Sequence, residues 1–278
     1  MLNKTIDDII LQYSSRGMDK IQKEFNVQHC KNACNEFVKI EKGNVFIYTG
    51  FYVKGYAETD GPLGAYFLAK SLNTLGYTAI IITDEFCKNF FPNIKTLYLT
   101  HKDCKEEESL LNILKEYAPV CHFSIERCGR NINNDYMNSR KISIAEFTPA
   151  VDLLFSLGNK TRKSFAIGDG GNEIGMGNFK DFIKESLKQE PCIVECDFPI
   201  IASVSNWGAY GFIAYLEKTL KINLLPSIKD LESYLEYIVS LGAVDGITGK
   251  NEATVDGKEW ELENIILNDL TQNIKNNL

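Results

Sequence analysis

SFAIGDGGNEIGMGN, residues 164–178, is the stretch from which the rest of the chain is read. It starts as a short apolar run, Phe165-Ala166-Ile167, in the manner of a strand. It then passes through Gly168, Asp169, Gly170, Gly171, Asn172 and Glu173 and closes on Gly175 and Gly177. Five of its fifteen residues are glycine, so the backbone can turn where a side chain would block it. Asp169, Asn172 and Glu173 fall within five positions. A strand that empties into glycines and carboxylates suits a loop that holds a divalent cation or an anion bound by backbone amides. A turn with a polar tip is the plain alternative, but such a turn has no need of so many glycines beside two acids.

The chain around this loop alternates strand and helix. Asn44 to Thr49 (NVFIYT) and Tyr77 to Thr83 (YTAIIIT) read as strands, the second apolar enough to be buried on both faces. Between them a helix begins at Pro62, carries Leu63, Phe67, Leu68, Leu72 and Leu75 at helical spacing, and stops at Gly76. Further strands are expected at Lys95–Leu99, Val120–Ile125, Cys192–Cys196 and Ile200–Val204. Helices are expected at Asp84–Phe91, Cys104–Tyr117, Ala150–Leu157, Phe179–Lys188, Gly208–Leu220, Leu231–Leu241 and Trp260–Asn273. Residues 1–40 read as two helices broken near Ser14-Ser15-Arg16-Gly17, the first with Ile6, Ile9, Ile10 and Tyr13 on one face. The expectation is one domain over residues 1–278 in the α/β class. Its sheet is largely parallel with helices on both faces, a Rossmann-like three-layer arrangement, and residues 1–40 form an N-terminal helical extension.

Composition narrows the function. A net charge of -7 argues against nucleic-acid and anionic membrane surfaces, which call for a basic patch. No run reaches the ~18 apolar residues of a membrane span. The acids within the N-terminal apolar run do not suit a signal peptide, so a cytoplasmic protein is expected. The eight cysteines then read as small buried side chains. Cys30 with Cys34 and His29, and Cys192 with Cys196, lack the spacing of a zinc knuckle. His29, His101 and His122 are far apart in sequence and read as surface or capped histidines.

In parallel sheets, ligands bind beyond the carboxyl ends of the strands. The polar loops here follow strands: Glu58/Asp60, Glu126/Arg127, Asp169/Asn172/Glu173 and Ser205/Asn206. Two Val-Asp-Gly turns, at Asp245 and Asp256, could reach the same rim. If Glu58, Asp60, Asp169, Glu173 and Asp245 converge, they cannot all remain ionised without a counter-charge. A hard divalent cation supplies it, and an all-oxygen set favours Mg²⁺ or Mn²⁺ over Zn²⁺. The bland reading is that these acids cap helices separately, as Glu58 and Asp60 could. Arg127 could hold a substrate carboxylate through its planar fork, or sit on the surface. Asn206 could bind substrate or cap the helix it begins, and Trp207 reads as core. Gly170, Gly171 and Asn172 are the loop positions able to meet a substrate. No GxGxxG fingerprint and no P-loop is present.

Taken together, TGFYVKGYAETDGPLGAYFLAKSLNTLGY (residues 49–77), IERCGRNINNDYMNSRKISI (125–144), IGDGGNEIGMGN (167–178), SNWGAYG (205–211) and LGAVDGITG (241–249) resemble the D-glutamate cyclase C-terminal domain family. GDGGNEIGMG and ETDGP-GA are the specific parts, and the resemblance covers nearly the whole chain, without the additional N-terminal region of the animal enzymes. It implies loss of water from D-glutamate to give 5-oxo-D-proline, a small amino-acid substrate. The roles follow from residue type, the resemblance supplying only the motif positions: Glu58, Asp60, Asp169 and Glu173 would hold the metal. Asp245 or Glu173 would serve catalysis, with Asp245 as ligand or base, and Arg127 would take the α-carboxylate. Two other classes fit the same acids: a metal-dependent hydrolase, phosphatase or amidohydrolase, of a small anionic substrate, and a small-ligand-binding protein without chemistry. A homo-oligomer stays open.

Overall fold

The computed structural model describes residues 4–276; the parts of the 1–278 domain and of the 1–40 extension that fall on residues 1–3 and 277–278 lie outside them. Three helices come first: α1 (Ile6–Ile10), α2 (Met18–Phe25) and α3 (His29–Phe37). The sequence suggested two. The extra break is at Asn26, whose left-handed φ of 48° ends α2. Ile6, Ile9 and Ile10 are buried as expected, whereas Tyr13 is largely exposed.

The main sheet follows as β1 (Asn44–Thr49), β2 (Thr78–Thr83), β3 (Lys95–Tyr98), β4 (Cys121–Ile125), β5 (Lys163–Gly168) and β6 (Phe198–Ile201). Every pair is parallel and the spatial order is β3-β2-β1-β4-β5-β6. In chain order that is 3-2-1-4-5-6, the doubly wound Rossmann arrangement, with its switch point between β1 and β4. Alternate residues of each strand face opposite layers. Val45 and Ile47 of β1 join one apolar cluster, and Phe46 and Tyr48 join the other.

One layer contains α3, α4 (Pro62–Thr74), α9 (Ser205–Leu220) and α11 (Trp260–Lys275), with α10 (Ile228–Ser240) beside α4. The other contains α5 (His101–Lys105), α6 (Glu107–Tyr117) and α7 (Val151–Asn159). The short α8 (Lys180–Ser186) follows a 3₁₀ turn at Met176–Phe179. Trp207 is fully buried in α9, as expected of a core residue.

Several local expectations are corrected. The helix expected over residues 84–91 is a 3₁₀ turn at Glu85–Cys87, which Asp84 caps by accepting from the Phe86 amide. The single helix over 104–117 is two, α5 and α6, divided at Glu106, whose backbone is extended. Cys192–Cys196 is not a strand. His122 is neither surface nor cap: it is buried in β4, with Nδ1 3.0 Å from the Tyr48 hydroxyl. A small antiparallel ladder, Tyr52–Val53 with Tyr56–Ala57, occupies what read as loop. The eight cysteines are buried and none forms a disulfide.

Candidate active site

At the carboxyl ends of β1, β4 and β5 the chain turns into polar loops, and these converge. Asp60, Glu126 and Asp169 each offer a carboxylate oxygen, and the three oxygens lie within 4.8 Å of one another. All three residues are buried. Asp60 and Asp169 were expected at such a site; Glu126 was placed on the rim without a role. Its backbone is left-handed, φ 45°, a conformation that costs energy outside glycine and is concentrated at functional sites.

Asp60 is held by the start of α9. Its Oδ1 accepts from the Asn206 amide at 2.8 Å and its Oδ2 from the Ser205 amide at 2.9 Å. Asn206 returns the arrangement: its Oδ1 accepts from the amides of Gly61 and Gly64 at the start of α4, at 2.9 and 2.7 Å. The two helix N-termini therefore satisfy each other's orphan donors through side chains 146 residues apart. Asn206 caps a helix, one of the two roles open to it, but the capped helix is α4 and not its own. Ser205 Oγ also donates to Glu126 Oε2 at 2.6 Å.

The GDGG loop is organised by Glu173, whose oxygens accept from the amides of Gly170 and Gly171 at 2.8 and 2.7 Å. Gly171 has φ 102°, a conformation that side-chain-bearing residues rarely adopt. Residues 192–194 clamp this loop from outside. Cys192 N donates to Gly171 O, and the amides of Gly175 and Gly177 donate to Val194 O.

Asp169 Oδ1 is buried and has no partner, while Oδ2 accepts from Arg16 Nη2 at 2.6 Å. Arg16 comes from the segment between α1 and α2 and also pairs with Asp256. It is the residue that sequence reading missed most completely, since Ser14–Gly17 read only as a break between helices. Burial lowers its pKa, but Asp169, Asp256, Glu126 and Glu173 outweigh that and hold the guanidinium firmly charged.

Glu58 lies beside this group, bridged through its backbone to Val244, so the 244–257 loop does reach the rim. Asp245 is fully buried. Its Oδ1 accepts from the amides of Ile247 and Thr248, and its Oδ2 from Thr254 Oγ1 and the Gly257 amide. Those four bonds shape the loop that presents Asp256 and leave little capacity for ligand or base work. Arg127 is also elsewhere. Its Nη1 donates to Gly50 O at 2.8 Å and to Asp84, and its Nη2 donates to Pro149 O at 3.0 Å. It is 1% exposed, so a substrate carboxylate could reach it only by displacing those partners.

A cavity of about 260 Å³ opens beside the acids. Arg16, Glu58, Glu126, Asn172 and Asp256 line it, together with the apolar Phe51, Tyr52, Ile142, Ile144, Phe147 and Ile247. Tyr52 and Phe147 stack at 4.4 Å. Asn172 is anchored by its Nδ2, which donates to Met137 O at 2.8 Å.

Burial is the main cause of raised carboxyl pKa values here. Asp60 is pushed up to about 7 by burial and then Asp256, against the amides of Asn206 and Ser205. Glu58, Glu126 and Asp169 rise well above the usual range for the same reason, with neighbouring acids adding to it in each case. The folded state thus favours the protonated forms of these groups. Their stabilising contribution is complete at low pH, below roughly 4, the ordinary carboxyl range, and is lost as pH rises through the higher folded-state values. In chelator, the melting temperature should fall between about pH 4 and about pH 7, the Asp60 value. Mg²⁺ or Mn²⁺ should flatten that slope, because a bound cation favours the ionised forms. Melting curves across this range, with and without cation, check it; identical slopes would remove the cation from the account.

The fold is similar to that of a short chain dehydrogenase family protein from Francisella tularensis subsp. tularensis SCHU S4 over 84% of this chain and 93% of that one, at 14% identity and a TM-score of 0.30. That likeness carries no argument about this chain. In sequence, the chain is 30% identical to human mitochondrial D-glutamate cyclase, covering 77% of this chain and 43% of the relative, so it spans less than half of the relative's length. The D-glutamate cyclase-like, C-terminal family matches residues 6–271, and with nearly the whole fold and its buried acids inside that match, the chain belongs to this family.

Proposed function

We propose that the protein is a metal-dependent D-glutamate cyclase-like lyase that converts D-glutamate to 5-oxo-D-proline and water. The observation that carries this is the meeting of Asp60, Glu126 and Asp169 beside a cavity, in a chain of this family. The donor set is all oxygen, and Asp169 Oδ1 is a buried acceptor without a partner, which fits a hard cation such as Mg²⁺ or Mn²⁺. Asp60, Glu126 and Asp169 would hold it. A bound cation polarises a carboxyl group and stabilises the negative oxygen that develops on it.

In the reaction a C–N bond forms between the amine and the side-chain carboxyl carbon. The ammonium gives up two protons, and the departing carboxyl oxygen takes up two and leaves as water. Glu58 lines the cavity, and burial raises its pKa, which makes its carboxylate a stronger base for the first proton. Asp245 and Glu173 support the site from behind, Asp245 by shaping the 244–257 loop and Glu173 by fixing the GDGG turn. Apolar side chains and the Tyr52–Phe147 stack border the cavity in which the reacting carboxyl would sit.

The test is turnover. Metal-stripped protein is incubated with D- or L-glutamate, with and without Mn²⁺ or Mg²⁺, and 5-oxoproline is measured. Product from D-glutamate that appears only with cation is the expected result. Absence of product while cation still raises the melting temperature would retain the metal site and discard the substrate.

A further inference from the structure

Resting on the cyclase reading for the identity of the substrate, we infer that Arg140 is the receptor for the α-carboxylate. Its side chain lines the same cavity as Glu58, Glu126 and Asp256. Two sets of bonds fix its place. Asn138 Oδ1 accepts from the amides of Arg140 and Ile142, at 3.0 and 3.1 Å, and the Asn138 amide donates to Ile142 O, so residues 138–142 form a closed turn. At the other end, Arg140 Nη2 donates to Ile247 O at 3.0 Å, in the loop that presents Asp256. That bond occupies one hydrogen of Nη2. Of the two forks of the guanidinium, Nε–Nη2 and Nη1–Nη2, one therefore stays whole. No acid pairs with Arg140 among the described residues.

The substrate needs such a group. With the side-chain carboxyl at the acid cluster, the α-carboxylate still carries its charge in a cavity lined by Glu58, Glu126 and Asp256. The cations that line this cavity are Arg16, Lys54 and Arg140. Arg16 spends its Nη2, which both of its forks share, on Asp169 and Asp256. Lys54 is a point charge without a planar fork. Arg127 has its terminal nitrogens engaged in the interior. Arg140 is exposed, and an exposed ion pair between two mobile side chains contributes little. Here the guanidinium is already anchored on Ile247 O, which reduces the entropy lost on pairing, and a whole fork matches a carboxylate bidentately. Ile142 and Ile247, 57% and 45% exposed, line the same cavity and offer apolar surface to the aliphatic chain of the ligand.

The experiment uses glutarate, which has the carboxylates of glutamate but no amine and so cannot cyclise. Its affinity, and that of its half-amide glutaramate, are measured by calorimetry at fixed Mg²⁺ for the full chain and its variants. Arg140→Gln should weaken glutarate by roughly 10-fold, the scale of a charged hydrogen bond, and bring its affinity close to that of glutaramate. Its melting temperature should match the parent's, because the side chain is exposed. Arg140→Lys should also reduce the preference for glutarate, because the fork is gone. Lys54→Gln should keep that preference. Parent-like affinity and preference in Arg140→Gln would overturn the assignment. So would a loss of preference in Lys54→Gln with none in Arg140→Gln, or no binding of glutarate by the parent. Arg140-dependent glutarate binding without D-glutamate turnover would keep the receptor and reject the cyclase reading. D-glutamate turnover with an unchanged KM in Arg140→Gln would keep the cyclase reading and reject the receptor.

Discussion

Asp169→Asn should lower metal-dependent turnover by at least about 100-fold, the equivalent of losing ~3 kcal/mol of transition-state stabilisation. The change is nearly isosteric. It replaces a carboxylate that has one oxygen on Arg16 and one without a partner. Arg16 keeps Asp256, so its charge is still balanced. Removing one buried negative charge from a crowded group also relieves repulsion. The cation-free variant should therefore melt within a few degrees of the parent. Mn²⁺ should raise the parent's melting temperature and leave the variant's unchanged. A variant that is stabilised by Mn²⁺ as strongly as the parent would show that Asp169 is not a ligand.

The second large effect is on stability. Arg127→Met should destabilise the fold by ~3–5 kcal/mol, because it removes one member of a buried ion pair and leaves Asp84 without its cation. The carbonyls of Gly50 and Pro149 lose a donor as well. At roughly 2–4 °C per kcal/mol for a chain of this size, the melting temperature drops by about 6–20 °C. The KM for D-glutamate should change little in the fraction that folds. Denaturant titration and steady-state kinetics together decide the matter. A raised KM with normal stability would return Arg127 to the substrate.

The parallel sheet was legible because most strands carry an apolar run and the turn chemistry is local, with Pro62 opening α4 and Gly76 following it; the strand order was not, since it is set by long-range pairing. Cys192–Cys196 misled for a physical reason. It has the apolar, β-branched look of a strand, but its backbone bonds go to the GDGG loop and to Arg130 O, not to a neighbouring strand. Side-chain partners are harder to read than elements. Asp169 and Asp60 were recognisable as carboxylates after strands. Glu126 and Arg127 were recognisable together, but adjacent residues can point to opposite destinies: Glu126 enters the acid cluster and Arg127 enters the interior. Arg16 had no local signal. Its role arises because α1 packs on α9, and nothing in residues 14–17 announces that packing.

The exchange of caps between Asp60 and Asn206 bears on how such proteins can be recombined. A chimera that takes residues around 60 from one relative and residues around 206 from another inherits half of a reciprocal lock, and both helix starts are exposed to a mismatch at once. The two segments lie far apart in sequence, yet they are a single unit of inheritance. A crossover that respects this unit moves both segments together, and the carboxylate of Asp60 travels with the amides that aim it.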